Sequence, residues 1–189
     1  MKIIKSRIFK ILIALFIFGI VLGIISFIIS KDNSSLYNYF TILKEGNFNY
    51  LNGLISSISY NYKYAFFIWI IGIVFFISFI SLFIIVFRGI CLGFSICSIF
   101  YTFKIKGLLY SLILLFPCTI VNEIVYLLLS FYSINFSIKV FNAIKKNKFI
   151  NIRSFTKNYL YILLIFLTVL FISSLFEVYI SSNILKNVI

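Results

Sequence analysis

The chain has 189 residues, of which 63% are hydrophobic and only 11% charged, with 17 basic side chains against 4 acidic ones and a net charge of +13. A soluble domain carries about a quarter of its residues charged, so this chain lacks the polar surface to face water all round, and lipid must be its solvent. The excess of Lys and Arg gathers at the ends of apolar runs, where it sets topology and meets anionic headgroups, which argues against nucleic acid as a partner.

Lys2, Lys5, Arg7 and Lys10 precede a charge-free run that ends at Ser30. About twenty apolar residues cross a bilayer core of roughly 30 Å, so a first span is predicted over 9–30. The run is longer than a signal-peptide core and has no small-x-small site before Lys31. It reads as an uncleaved anchor with a cytoplasmic N-terminus. Residues 31–63 follow as an outer amphipathic segment, with apolar residues at helical spacing on both sides of Gly46.

A second span is predicted over 64–87, ending at Arg88, which reads as a snorkelling end residue. Residues 139–157 then gather Lys139, Lys145, Lys146, Lys148, Arg153 and Lys157 without an acid. By the positive-inside rule this loop is cytoplasmic. An even number of crossings must lie between two cytoplasmic points, so 89–103 and 107–138 are predicted as two spans turning near Lys104–Gly107. The first is short for a span, which leaves room for half-helices in 89–121. A last span over 158–178 puts the C-terminus outside. The expected fold is therefore all-α: one polytopic membrane bundle with about five transmembrane helices.

No catalytic constellation is present. The chain has no histidine, which removes the commonest general base and metal ligand. It has no Gly-rich phosphate loop and no GxSxG or HExxH motif. Cys91, Cys97 and Cys118 are odd in number, lie in apolar stretches and read as small hydrophobes. The expectation is a protein without enzymatic activity, cofactor, metal or small-molecule substrate.

Glu123 is the one acid well inside an apolar stretch, beside Asn122 and six residues after Pro117, the only proline. Such charges face a bundle interior or water, because the bilayer centre costs them several kcal/mol. Two readings stay open. Glu123 lines a polar cavity or takes up protons, or it is a packing carboxyl bonded to Tyr126, Asn122 or a neighbouring helix. Gly89 and Gly93 form a GxxxG, which lets two helix backbones approach closely. Aromatic residues near the span ends suit an interfacial belt, and Glu177 reads as an outer-interface residue.

The order of these features resembles stage II sporulation protein M, a membrane protein family of endospore-forming bacteria. The resemblance is carried by Trp69 to Gly72 and by Arg88-Gly89 through Gly93-Phe94. It continues in Lys106-Gly107 with Pro117 and in the closing stretch from Phe176 through Glu177 to Ser181. Pro117 is followed by Cys118-Thr119, where the family pattern has more polar neighbours. The resemblance implies a scaffold in engulfment that localises two peptidoglycan-remodelling partners, stage II sporulation proteins D and P. The alternative from the residues themselves is a permease or channel subunit with a polar site around Glu123.

Overall fold

The computed structural model describes residues 6–30, 50–74, 78–115, 118–145 and 152–181. Five long helices account for nearly all of them: α1 (Arg7–Ser30), α2 (Tyr50–Ile73), α3 (Ile80–Leu115), α4 (Thr119–Lys145) and α5 (Ile152–Phe176). One turn of π-helix, Glu177–Ser181, continues α5. Four helical stretches are long and apolar enough to cross a membrane: Arg7–Ser30, Ile80–Tyr101, Thr119–Lys145 and Phe155–Tyr179. The polar first half of α2, with Asn52, Ser56, Ser57, Ser59, Asn61 and Lys63, keeps it out of that set.

Lipid as the solvent shows in what the bundle hides and what it presents. Ile29, Phe79, Phe83 and Ile165 are exposed, while Ser81, Ser98, Ser130, Ser133 and Ser137 are buried. In hydrocarbon, apolar side chains gain nothing by leaving the surface, and small residues that permit close backbone contact fill the interior instead.

The helices alternate in direction. A Cβ on Gly19 would meet Val86 and Gly89, and one on Gly23 would meet Ile90 and Phe94. Both sequences advance together, so α1 and α3 run parallel. Tyr126 hydrogen-bonds Asn61, Ser133 donates to the Ile68 carbonyl and Ser137 to the Gly72 carbonyl. That makes α4 parallel to α2. Against α5 the order inverts: Asn61 meets Ser174, Tyr62 meets Leu167 and Tyr159 meets Trp69. One end of the bundle therefore collects Arg7 and Lys10, Lys139 and Lys145, and Lys157, all from helix segments that finish or begin there. The two acids with described side chains, Glu123 and Glu177, stand nearer the other end.

Glycine does particular work between α1 and α3. Cβ atoms on Gly19, Gly23 and Gly93 would each collide with a carbonyl oxygen of the facing helix, as would one on Gly89 with that of Phe16. Both backbones thus touch without side chains between them. Phe27 packs edge-on against Phe94 at 5.3 Å just beyond the glycines.

α4 is the central helix. Glu123, Val125, Tyr126, Leu127, Ser130 and Phe131 are all buried, so more than one of its faces is covered. Leu12, Ile68, Ile85, Tyr126 and Leu170 form one core cluster drawn from all five helices.

The helix boundaries differ from the expected spans in three places. The expected second span, 64–87, is divided, with α2 ending at Ile73 and α3 opening at Ile80. Hydropathy does not mark that division because the run is apolar throughout; Gly72, beside the last residue of α2, is the one local signal. The backbone is helical through Lys104–Gly107, so the turn expected there is absent and α3 continues to Leu115. Residues 50–63, expected in an outer segment, are the first half of α2; 31–49 lie outside the described residues.

Trp69, the only tryptophan, stacks on Tyr159 at 5.6 Å, and Tyr159 stacks on Phe136 at 4.3 Å. The Tyr159 hydroxyl donates to the Trp69 carbonyl at 3.0 Å. Tyr159→Phe keeps both stacks and should cost about 0.6 kcal/mol, the usual worth of an intramembrane hydrogen bond, with Trp69 emission unchanged. Tyr159→Leu removes the stacks and should shift that emission. An unshifted spectrum in detergent would contradict this packing.

Candidate functional site

The polar centre of the bundle is built where α2, α3 and α4 meet. Arg88 sits in the third turn of α3, faces the bundle interior, and is 5% exposed. Glu123 sits one turn into α4 and is 3% exposed. Their Nη2 and Oε1 atoms are 2.5 Å apart. Arg88 therefore does not snorkel at a span end: α3 opens at Ile80, which places it inside that helix, and Glu123 is the opposite charge it meets there. Intramembrane charges pair in this way because neither can be solvated alone.

The guanidinium is further enclosed by aromatic faces. Its Cζ lies 4.6 Å from the Tyr126 ring centroid, 5.2 Å from Tyr64 and 5.5 Å from Tyr60. Each such contact is worth roughly 0.5–2 kcal/mol, more when desolvated. The Tyr126 hydroxyl reaches the Asn61 side-chain oxygen at 3.1 Å, and Asn61 donates to Ser174 at 3.1 Å. A connected polar network thus joins α2, α4 and α5 around the ion pair.

A cavity of about 190 Å³ opens from this network, with Arg88, Asn61, Asn122 and Glu123 at its buried floor. Its rim is partly exposed and includes Thr119, where α4 begins, and Glu177, where the π-turn begins. The Glu177 carboxylate accepts a hydrogen bond from Ser57 at 2.7 Å. π-Turns are rare and frequent at functional sites; here the turn brings Glu177 to the cavity.

The residues singled out in the sequence divide. Glu123, Asn122, Arg88 and Glu177 come together at the cavity. Gly89, Gly93 and Phe94 pack against α1, while Trp69 and Gly72 pack against Tyr159 and Ser133. Pro117 lies outside the described residues, and Gly107 is described only as helical backbone. Sequence reasoning passed over Ser57 and Asn61, and it placed Tyr60 and Tyr64 in the interfacial aromatic belt. They could have been found as a polar face recurring at three- and four-residue spacing along one helix. Among the described residues no group of three metal-binding side chains comes together.

An all-helical bundle with an apolar exterior, four stretches fit to cross a bilayer and an ion pair in its interior is a multi-pass membrane protein. The family model of stage II sporulation protein M matches residues 12–182, and the chain belongs to that family. Neither a curated protein nor a solved structure matches it.

Proposed function

We propose that this protein is a non-catalytic membrane scaffold of sporulation engulfment, which localises peptidoglycan-remodelling enzymes at the mother-cell membrane. The family match over 12–182 carries the reading. Its partners on this view are stage II sporulation proteins D and P. The segregation of Arg7, Lys10, Lys139, Lys145 and Lys157 to one end supports a cytoplasmic face there. On this reading the alternating helices make five crossings, α2 included, with the N-terminus inside and the C-terminus outside. The rim of the cavity, on the same reading, faces the space where cell-wall enzymes work.

Affinity capture of the tagged protein from sporulating cells tests this. Recovery of the two wall enzymes, with loss of their septal localisation on deletion of the gene, is the expected result. A C-terminal alkaline phosphatase fusion should be active and an N-terminal one inactive. Capture of a cytoplasmic ATPase in their place would sink the scaffold reading.

The second reading, a permease or channel subunit, draws on one observation: a polar cavity reaching an intramembrane ion pair. Against it stands the packing beyond the pair. Tyr126, Leu129, Ile68, Ile85 and Leu170 are fully buried there, and Ser133 and Ser137 are engaged with α2 carbonyls. Solute flux into proteoliposomes would revive it.

A further inference from the structure

The cavity leaves particular atoms unanswered. Among the described residues, Glu123 Oε2, Asn122 Oδ1 and Arg88 Nε are buried without a hydrogen-bond partner. All three side chains line the cavity and are at least nine-tenths buried. A buried polar atom left unmade costs about 1–3 kcal/mol, so three in one cavity call for an occupant. Two of the atoms accept and one donates. The carboxylates of Glu123 and Glu177 against the guanidinium of Arg88 leave one negative charge uncompensated among the described lining side chains.

We propose that this cavity binds a primary ammonium that carries an oxygen acceptor close by, the chemistry of an ethanolamine head group. The ammonium N–H groups answer Glu123 Oε2 and Asn122 Oδ1 and balance the excess charge, with Glu177 at the rim. The neighbouring oxygen accepts from Arg88 Nε. Other occupants meet only part of this pattern. A bare metal cation satisfies the two acceptors but offers no oxygen to Arg88 Nε. An anion meets two carboxylates. A quaternary ammonium has no N–H to donate. Water alone answers the hydrogen bonds and leaves the charge. The volume of about 190 Å³, roughly six waters at ~30 Å³ each, admits a group of ethanolamine size. The partly exposed rim gives access to either a lipid head group or a soluble amine.

The test uses the full-length protein in nanodiscs and reads its unfolding temperature. Nanodiscs of phosphatidylglycerol with phosphatidylethanolamine are compared with phosphatidylglycerol plus phosphatidylcholine, and the second set is titrated with free ethanolamine. A rise of several degrees with phosphatidylethanolamine, not matched by phosphatidylcholine, supports a lipid source. A rise with free ethanolamine alone supports the same site with a soluble ligand. Asn122→Ala separates ligand from fold. Its own unfolding temperature without ligand is the reference from which its rise is read, and with ligand it should lose most of the rise. Glu177→Gln should weaken the rise without abolishing it. Equal stability with both lipids and no response to ethanolamine, or a rise that survives in Asn122→Ala, would overturn the proposal. Neither result bears on the scaffold reading, which rests on the family match.

Discussion

Leucine in place of Gly19 or Gly89 should prevent the bundle from assembling. At each position the added side chain would begin inside the space of a facing backbone carbonyl, and Gly89 Cα and Gly19 Cα are themselves neighbours. Ordinary overpacking costs about 1–3 kcal/mol because side chains can shift; here the obstacle is backbone on a rigid helix, so about 3 kcal/mol or more is expected. Even Ala should be harmful, because the clash arises at the Cβ. Ile17→Ala on the exposed face of the same helix, where Ile17 is 54% exposed, is the matched control. Accumulation in membranes and thermal unfolding in detergent read the difference. Normal unfolding of Gly89→Leu would mean that α1 and α3 do not touch through their glycines.

The ion pair gives the second large effect. Removing one partner of a buried pair costs about 3–5 kcal/mol, because the other charge is stranded. Glu123→Gln strands a guanidinium that cannot shed its proton, although the three tyrosine rings remain around it. Arg88→Met strands the carboxylate. The double variant Arg88→Met/Glu123→Gln strands neither charge. It should therefore unfold at a higher temperature than additivity allows, by an interaction energy of about 1–3 kcal/mol. Equal and additive losses would show that the two groups do not act as a pair. The same variants separate the functional readings. A scaffold needs only the shape, so the double variant should sustain engulfment better than either single one. A conduction path through the pair would fail in all three.

Much of the architecture was written in residue type and spacing. The apolar run before Ser30, the helical continuity through Glu123 and the glycine pair at Gly89 and Gly93 all follow from local rules. The other half of that contact, Gly19 and Gly23, carries the same GxxxG spacing and could have been matched to it. The break between α2 and α3 was hard to find this way, since Gly72 beside the last residue of α2 is a weak signal inside a run of unbroken hydropathy. Misplacing that break turned Arg88 into a span end and hid its partner 35 residues away. A rule that lone intramembrane charges of opposite sign seek one another would have joined Arg88 to Glu123. The polar face of Ser57 and Asn61 was obscured differently: its hydropathy matches that of a surface segment, and only its neighbours α4 and α5 make it interior.

The parallel contact between α1 and α3 also sets an order of events during synthesis. Gly19 is made about 70 residues before Gly89. At roughly 5–20 residues per second, the bare glycine face of α1 waits some 4–14 s in the bilayer before its cover arrives. During that interval the same face can accept the corresponding face of another nascent chain. Crowded translation of this protein should therefore yield exchanged dimers, joined through α1, that dilute translation does not.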